Sequence, residues 1–121
     1  MKEKRTLVIG SSLKPERYSH HAVQMLREYD YPVEAIGLME GEVSGVMIRK
    51  PFPMINDIHT FTLYVGPKNQ PFYYDYVLQI NPKRVIFNPG AENEEFEKML
   101  AGKGIATVRG CTLVMIVNGQ F

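Results

Sequence analysis

Short β-branched runs alternate with segments of helical period along this chain, and that alternation narrows the fold more than any other property of the sequence. The runs are Thr6-Leu7-Val8-Ile9, Val33-Glu34-Ala35-Ile36, Phe61–Val65, Arg84–Phe87 and Ile105–Val108. Each is closed by glycine, proline or small polar residues: Gly10, Gly37, Gly66-Pro67, Asn88-Pro89-Gly90 and Arg109-Gly110. Runs this short with such ends are strands. Between the first two, Ala22, Val23, Met25, Leu26 and Tyr29 recur at three- and four-residue spacing, so Tyr18–Tyr29 is expected to be an amphipathic helix. Asp30-Tyr31-Pro32 stops it, because the residue before a proline is pushed out of the helical region. A strand, a helix of about three turns and a second strand make a βαβ unit with a parallel sheet. The repetition of that unit predicts an α/β fold, a three-layer Rossmann-like sandwich with a mainly parallel five-stranded sheet.

The remaining segments fit the same plan. Phe72, Tyr73, Tyr76, Val77 and Ile80 are expected on one inward face of a helix ended by Asn81-Pro82. Glu92–Ala101 is expected to be a helix with Phe96, Met99 and Leu100 inward and its glutamates at the positive end. Leu38–Ile58 is broken by Gly41, Gly45, Pro51 and Pro53 and reads as a connection over one face, with Val46-Met47-Ile48 able to pair briefly at an edge. A final apolar run, Leu113–Val117, would serve as an exposed edge in an oligomerisation module.

A length of 121 residues suits one domain, 1–121. With 14 basic against 13 acidic residues there is no large field to hold a nucleic-acid backbone or an anionic membrane, so any anion must be recognised locally. The charged start Met1–Arg5 runs into only four apolar residues, too few for a signal core or a membrane span, and a lone Cys111 cannot form an internal disulfide. The expectation is a soluble cytoplasmic protein.

In parallel sheets ligands bind beyond the carboxyl ends of the strands. That rule selects Gly10–Ser19, Gly37–Glu40, Val65–Gln70, Asn88–Glu92 and Arg109–Thr112. In the first of these, Gly10 lets the backbone turn and approach a ligand. Ser11, Ser12 and free amides at the following helix start can donate to an anion there, and Lys14 and Arg17 can pair with phosphate. An ordinary strand-to-helix turn with two solvated cations fits the same residues. The nicotinamide fingerprint is incomplete, since Gly10-Ser11-Ser12-Leu13-Lys14-Pro15 lacks its second and third glycines and the second strand ends in Gly37 rather than an acid. A Walker loop is missing as well.

No metal site is expected: His20 and His21, adjacent on a helix, point about 100° apart, and His59 has no partner nearby in sequence. Cys111 sits where ligands gather and would be a reactive thiol if Arg109 or a helix terminus lowered its pKa; without a neighbouring base it reads as an inert cysteine. No complete catalytic set is visible.

Leu7–Ser12, Lys14-Pro15-Glu16-Arg17-Tyr18-Ser19, Tyr31-Pro32-Val33, Asn88–Asn93 and Cys111 together resemble the small stand-alone CoA-binding domain proteins, relatives of the CoA-binding domain of succinyl-CoA synthetase. The resemblance spans essentially the whole chain. It implies phosphate contacts from Gly10, Ser11, Ser12, Arg17 and Ser19, with Lys14 and Tyr18 of the same loop also expected to bind the cofactor, and places the turns around Gly37 and Val65-Gly66-Pro67 on the adenosine side. It also lays Asn88, Pro89, Gly90 and Glu92 across the pocket mouth, with Cys111 near it. The family often carries asparagine-proline where this chain has Gly37-Leu38, and arginine-cysteine-proline where it has Gly110-Cys111-Thr112. The larger synthetases hold their phosphohistidine and nucleotide-grasp domain outside the region resembled. The implied function is binding of CoA or acyl-CoA, non-catalytic alone, in a regulatory or carrier role with a second copy or a partner enzyme chain. The competing reading is an NAD(P)- or other nucleotide-binding enzyme or redox sensor that uses Cys111.

Overall fold

The computed structural model describes residues 2–121. The strands are β1 (Thr6–Ser11), β2 (Val33–Gly37), β3 (Gly41–Val43), β4 (Val46–Arg49), β5 (Thr60–Leu63), β6 (Arg84–Phe87) and β7 (Ala106–Arg109). The helices are α1 (Tyr18–Glu28), α2 (Tyr74–Ile80), α3 (Glu94–Gly102) and α4 (Thr112–Val117), and a 3-10 segment, Pro67–Tyr73, leads into α2. They build an α/β Rossmann-like fold around one sheet of order β3-β4-β2-β1-β5-β6-β7. Every pairing is parallel except the β3–β4 hairpin.

Strand alternation divides the core into two apolar layers. Leu7, Ile9, Ile36, Phe61, Leu63, Val85 and Phe87 face Tyr73, Tyr76 and Val77 together with Phe96 and Leu100 of α3. Val8, Ala35, Ile48 and Ile86 face Val23 and Leu26 of α1 and Ile116 of α4. The central strands β1, β5 and β6 are buried almost throughout, which is why their sequences read as continuous apolar runs rather than alternating ones.

The sheet has seven strands, not five. The two extra ones are β3 and β4, which turn the expected connection over one face into a hairpin; Val46-Met47-Ile48 does pair as expected, in β4, and that strand joins β2 through Ala35 and Ile36. Leu113–Val117 is not an edge strand but part of α4, with Thr112 and Ile116 buried and Val114 and Val117 exposed, a spacing of one helical turn. The aromatic face before β6 is also divided. Tyr73 and Tyr76 enter the core, while Phe72 stays outside against Phe52, with ring centroids 5.0 Å apart. The cause is the tighter 3-10 winding through Pro67 and Pro71, which rotates Phe72 away from the sheet. Helix α3 begins at Glu94 rather than Glu92 because Asn93 caps it, its side chain accepting from the Phe96 amide. Met99 of the expected inward set lies at its exposed margin.

Candidate ligand-binding crevice

The chain leaves β1 through α1 toward β2 on one side, whereas β5, the other neighbour of β1, leads on to β6 and β7 on the opposite side. The strand order reverses between β1 and β5, and the loops beyond their carboxyl ends diverge there. That crevice is flanked by residues 12–17 after β1, 64–66 after β5, 88–93 after β6 and the β7–α4 junction.

Gly10 lies near the end of β1, where the pairing with β2 shifts register, with φ of +90°, and a Cβ placed on it would stand 2.8 Å from the Tyr64 carbonyl oxygen. Its missing side chain admits the neighbouring strand's exit, a use inside the fold. Gly37 is similar: a Cβ there would run into the Ser11 carbonyl and reach 2.9 Å from Ile48 Cγ2. The Ser11 hydroxyl is buried and donates to the Val8 carbonyl at 2.9 Å, so it is spent within β1.

Outward from these, the loop opens. Ser12 Oγ accepts from the Lys14 amide at 3.1 Å, and His20 Nδ1 meets the Ser12 carbonyl at 2.9 Å, which ties the loop to the first turn of α1. Lys14, Arg17 and Tyr18 are exposed, and Ser19 is buried beneath them. Arg17 is the N-cap, in extended conformation, and its side chain does not cap the helix. The amides of His20 and His21 are satisfied by the Arg17 carbonyl, and no acceptor for the amides of Tyr18 and Ser19 occurs among the described residues. The amides of Tyr18 and Ser19 at the positive end of an eleven-residue helix, beside a lysine and an arginine, can receive an anion.

The far walls are built from buried amides. Asn88 Nδ2 donates to Thr62 Oγ1 at 2.7 Å and to the Leu63 carbonyl at 2.9 Å, and its Oδ1 accepts from the Thr112 amide at 2.9 Å. The Thr62 and Thr112 hydroxyls share a 2.7 Å hydrogen bond. Asn88 thus holds β5, β6 and the start of α4 together, with both of its donors spent on protein acceptors and its oxygen on the Thr112 amide. The Tyr64 hydroxyl lies buried beside these threonines without a hydrogen bond of good geometry, and burial pushes its pKa well up. Beyond Asn88, Pro89, Gly90 and Glu92 are exposed, and Glu92 accepts from the Gly90 amide at 2.9 Å. Val65 is half-buried and Pro67 exposed at the β5 exit. Cys111 is half-buried at the N-cap of α4 and makes no capping bond.

Two shallow concavities lie away from the crevice. One is lined by Arg27, Glu34, Val46 and Arg49, the other by Phe52, Met54, Phe72 and Tyr76. Among the described residues no three His, Cys, Asp or Glu side chains gather as a metal site, and no helix is long and apolar enough to cross a membrane.

A family model described as the CoA binding domain matches residues 4–116. The chain belongs to the CoA-binding domain family. Among solved structures, the CoA-binding domain seen here is similar over its full length to a crystal structure described only as an uncharacterized protein, with 43% identity, 100% of each chain covered and a TM-score of 0.95. A Thermus thermophilus protein shares 24% identity over 98% of this chain and 91% of its own, with a TM-score of 0.87. The dinucleotide-forming acetyl-coenzyme A synthetase of Ca. Korarchaeum cryptofilum, solved with phosphate and ADP, matches 88% of this chain with 25% of its own at 17% identity and a TM-score of 0.71, a likeness of fold alone. No curated protein matches.

The crevice of this CoA-binding domain brings Ser12, Lys14, Arg17 and Tyr18 to one mouth, with Ser19 buried below them, Val65 and Pro67 on one exit loop and Pro89, Gly90 and Glu92 on another. Ser11, Gly37 and Asn88 lie under it, committed to internal packing and hydrogen bonds. Sequence reasoning missed the buried polar residues Thr62, Gln70, Asn93 and Thr112 that brace the walls. Asn93 alone carried a readable signal, an asparagine directly before an acidic helix start.

Proposed function

We propose that this single domain binds CoA or an acyl-CoA in the crevice at the carboxyl ends of β1 and β5. Family membership over residues 4–116 carries the reading. The unsatisfied amides of Tyr18 and Ser19, flanked by Ser12, Lys14 and Arg17, support it with donors and positive charge suited to a pyrophosphate or a ribose phosphate. With a formal net charge of only +1, affinity depends on these local groups rather than on long-range attraction.

The role is binding without catalysis by this chain alone, in a regulatory or carrier capacity in the cytoplasm, as a homodimer or beside a partner enzyme. The polar side chains closest to the β5 and β6 exits, Asn88 and Thr62, are engaged with one another rather than offered to a substrate. Calorimetric titration with CoA, acetyl-CoA, NAD, NADP and ATP tests the reading. Tight heats with the two CoA compounds and weak ones with the others support it; binding of NADP with no response to CoA overturns it.

A further inference from the structure

The side chain of Gln70 joins two walls of the crevice. It is 1% exposed, and its Nε2 donates to the Val65 carbonyl at 2.9 Å and to the Ala91 carbonyl at 2.6 Å. Its Oε1 accepts from Asn93 Nδ2 at 2.9 Å. Val65 belongs to the β5 exit, Ala91 and Asn93 to the β6 exit, so one amide group spans both loops. Asn93 extends the connection: its Nδ2 also donates to the Tyr74 hydroxyl at 2.8 Å, and its main-chain amide to Glu97 Oε2 at 3.2 Å. Glu97 in turn takes Arg109 at the end of β7, at 2.9 Å. The exits of β5, β6 and β7 are therefore joined through one polar chain whose most buried member is Gln70.

We infer that Gln70 is a positioning residue of the crevice, setting the separation of the β5 and β6 exit loops and thereby the fit of the ligand. The inference rests on the CoA reading for the identity of that ligand. The two carbonyls it bonds are on loops and would be hydrated if the loops parted, so the amide trades two hydrated carbonyls for one fixed gap. Gln70 need not touch the ligand to do this. Both of its donors are used and its oxygen is engaged by Asn93, and the contact surface is supplied by the backbone and neighbours it holds.

The test uses the full chain and two variants, Gln70→Glu and Gln70→Met, titrated with CoA at pH 5.5 and pH 8, each compared with the wild type at the same pH. A buried glutamate has a raised pKa. Protonated, it keeps one donor and the acceptor for Asn93; ionised, it keeps no donor and faces two carbonyl oxygens. Gln70→Glu is expected to weaken CoA binding about ten-fold at pH 8, with the ratio to wild type falling toward one at pH 5.5. Gln70→Met is expected to lose about ten-fold at both. In parallel, amide exchange in residues 64–70 and 88–93 should quicken in both variants at pH 8 while β1 stays protected. Should Gln70→Met fail to fold, the pH profile of Gln70→Glu carries the test. Wild-type affinity at both pH values in folded variants, or unchanged exchange in both loops, overturns the inference. A wild-type protein that takes up no CoA removes the CoA reading instead, and the exchange experiment still decides whether Gln70 holds the loops.

Discussion

The α-carbon of Gly10 faces the Tyr64 carbonyl so closely that a Cβ on the glycine would stand 2.8 Å from the oxygen. This contact binds the end of β1 to the exit of β5 at the point where the strand order reverses. Two costs meet in Gly10→Ala: a left-handed backbone with φ of +90° and a clash with main chain that has no rotamer to yield. Chemical denaturation should show a loss of about 3 kcal/mol or more. Gly45→Ala is the control, because Gly45 has φ of +81° but nothing within 4 Å of the added carbon, and it should lose only about 1–2 kcal/mol. Equal losses in the two variants would show that conformation alone, and not the approach of Tyr64, demands glycine at position 10.

Arg17 is exposed, and its side chain takes no part in capping α1. Replacing it should therefore leave the fold alone while removing a charge-assisted contact from the anion. Arg17→Ala is expected to keep the wild-type melting midpoint in the absence of ligand and to weaken CoA binding about ten-fold or more in a calorimetric titration. An unchanged affinity would place Arg17 outside the site.

The Glu97 carboxylate receives Arg109 Nε and Nη2, each at 2.9 Å, along with the Asn93 amide. The Arg109 hydrogen bond is the main reason that its pKa lies below the usual 4.5. The unfolded chain therefore takes up the proton more readily than the folded one, and stability rises with pH across this window. The contribution of Glu97 is complete above about pH 4.5 and is lost as pH falls through the lower folded-state value. In urea melts at pH 7, 5, 4 and 3, Glu97→Gln should be less stable than wild type at neutral pH and the difference should shrink toward pH 3. A constant difference would mean that the carboxylate acts through shape and not through charge.

The layered architecture was legible because β1, β2, β5, β6 and β7 each draw on a β-branched run closed by a turn residue. β3 was not legible, and β4 only as a brief edge pairing of Val46-Met47-Ile48. At three and four residues, with Glu42, Met47 and Arg49 exposed, they carry little apolar signal, and they form because β2 offers an open edge. The misreading of α4 has a related cause. Val114, Ile116 and Val117 favour strands intrinsically, yet Asn88 takes the Thr112 amide and Ile116 reaches the α1 side of the sheet, so tertiary contacts decide. In the crevice, chain position selected the right loops but could not separate groups offered outward from groups spent inward. Ser11 and Ser12 are adjacent, and only their hydrogen bonds distinguish a buried hydroxyl bonded to Val8 from one at the loop surface. Gln70 gave no sign at all, since its value lies in carbonyls contributed by Val65 and Ala91, and the latter is remote in sequence.

The glycines at positions 10 and 37 give the groove floor a dimension determined by main chain pressed on main chain. At those two positions an added side chain would meet main chain before it could adjust the spacing by small steps. Adaptation of this scaffold to ligands of different girth must then proceed through the loops above, where Lys14–Ser19 and Val65–Gln70 can change length and character while the floor stays constant.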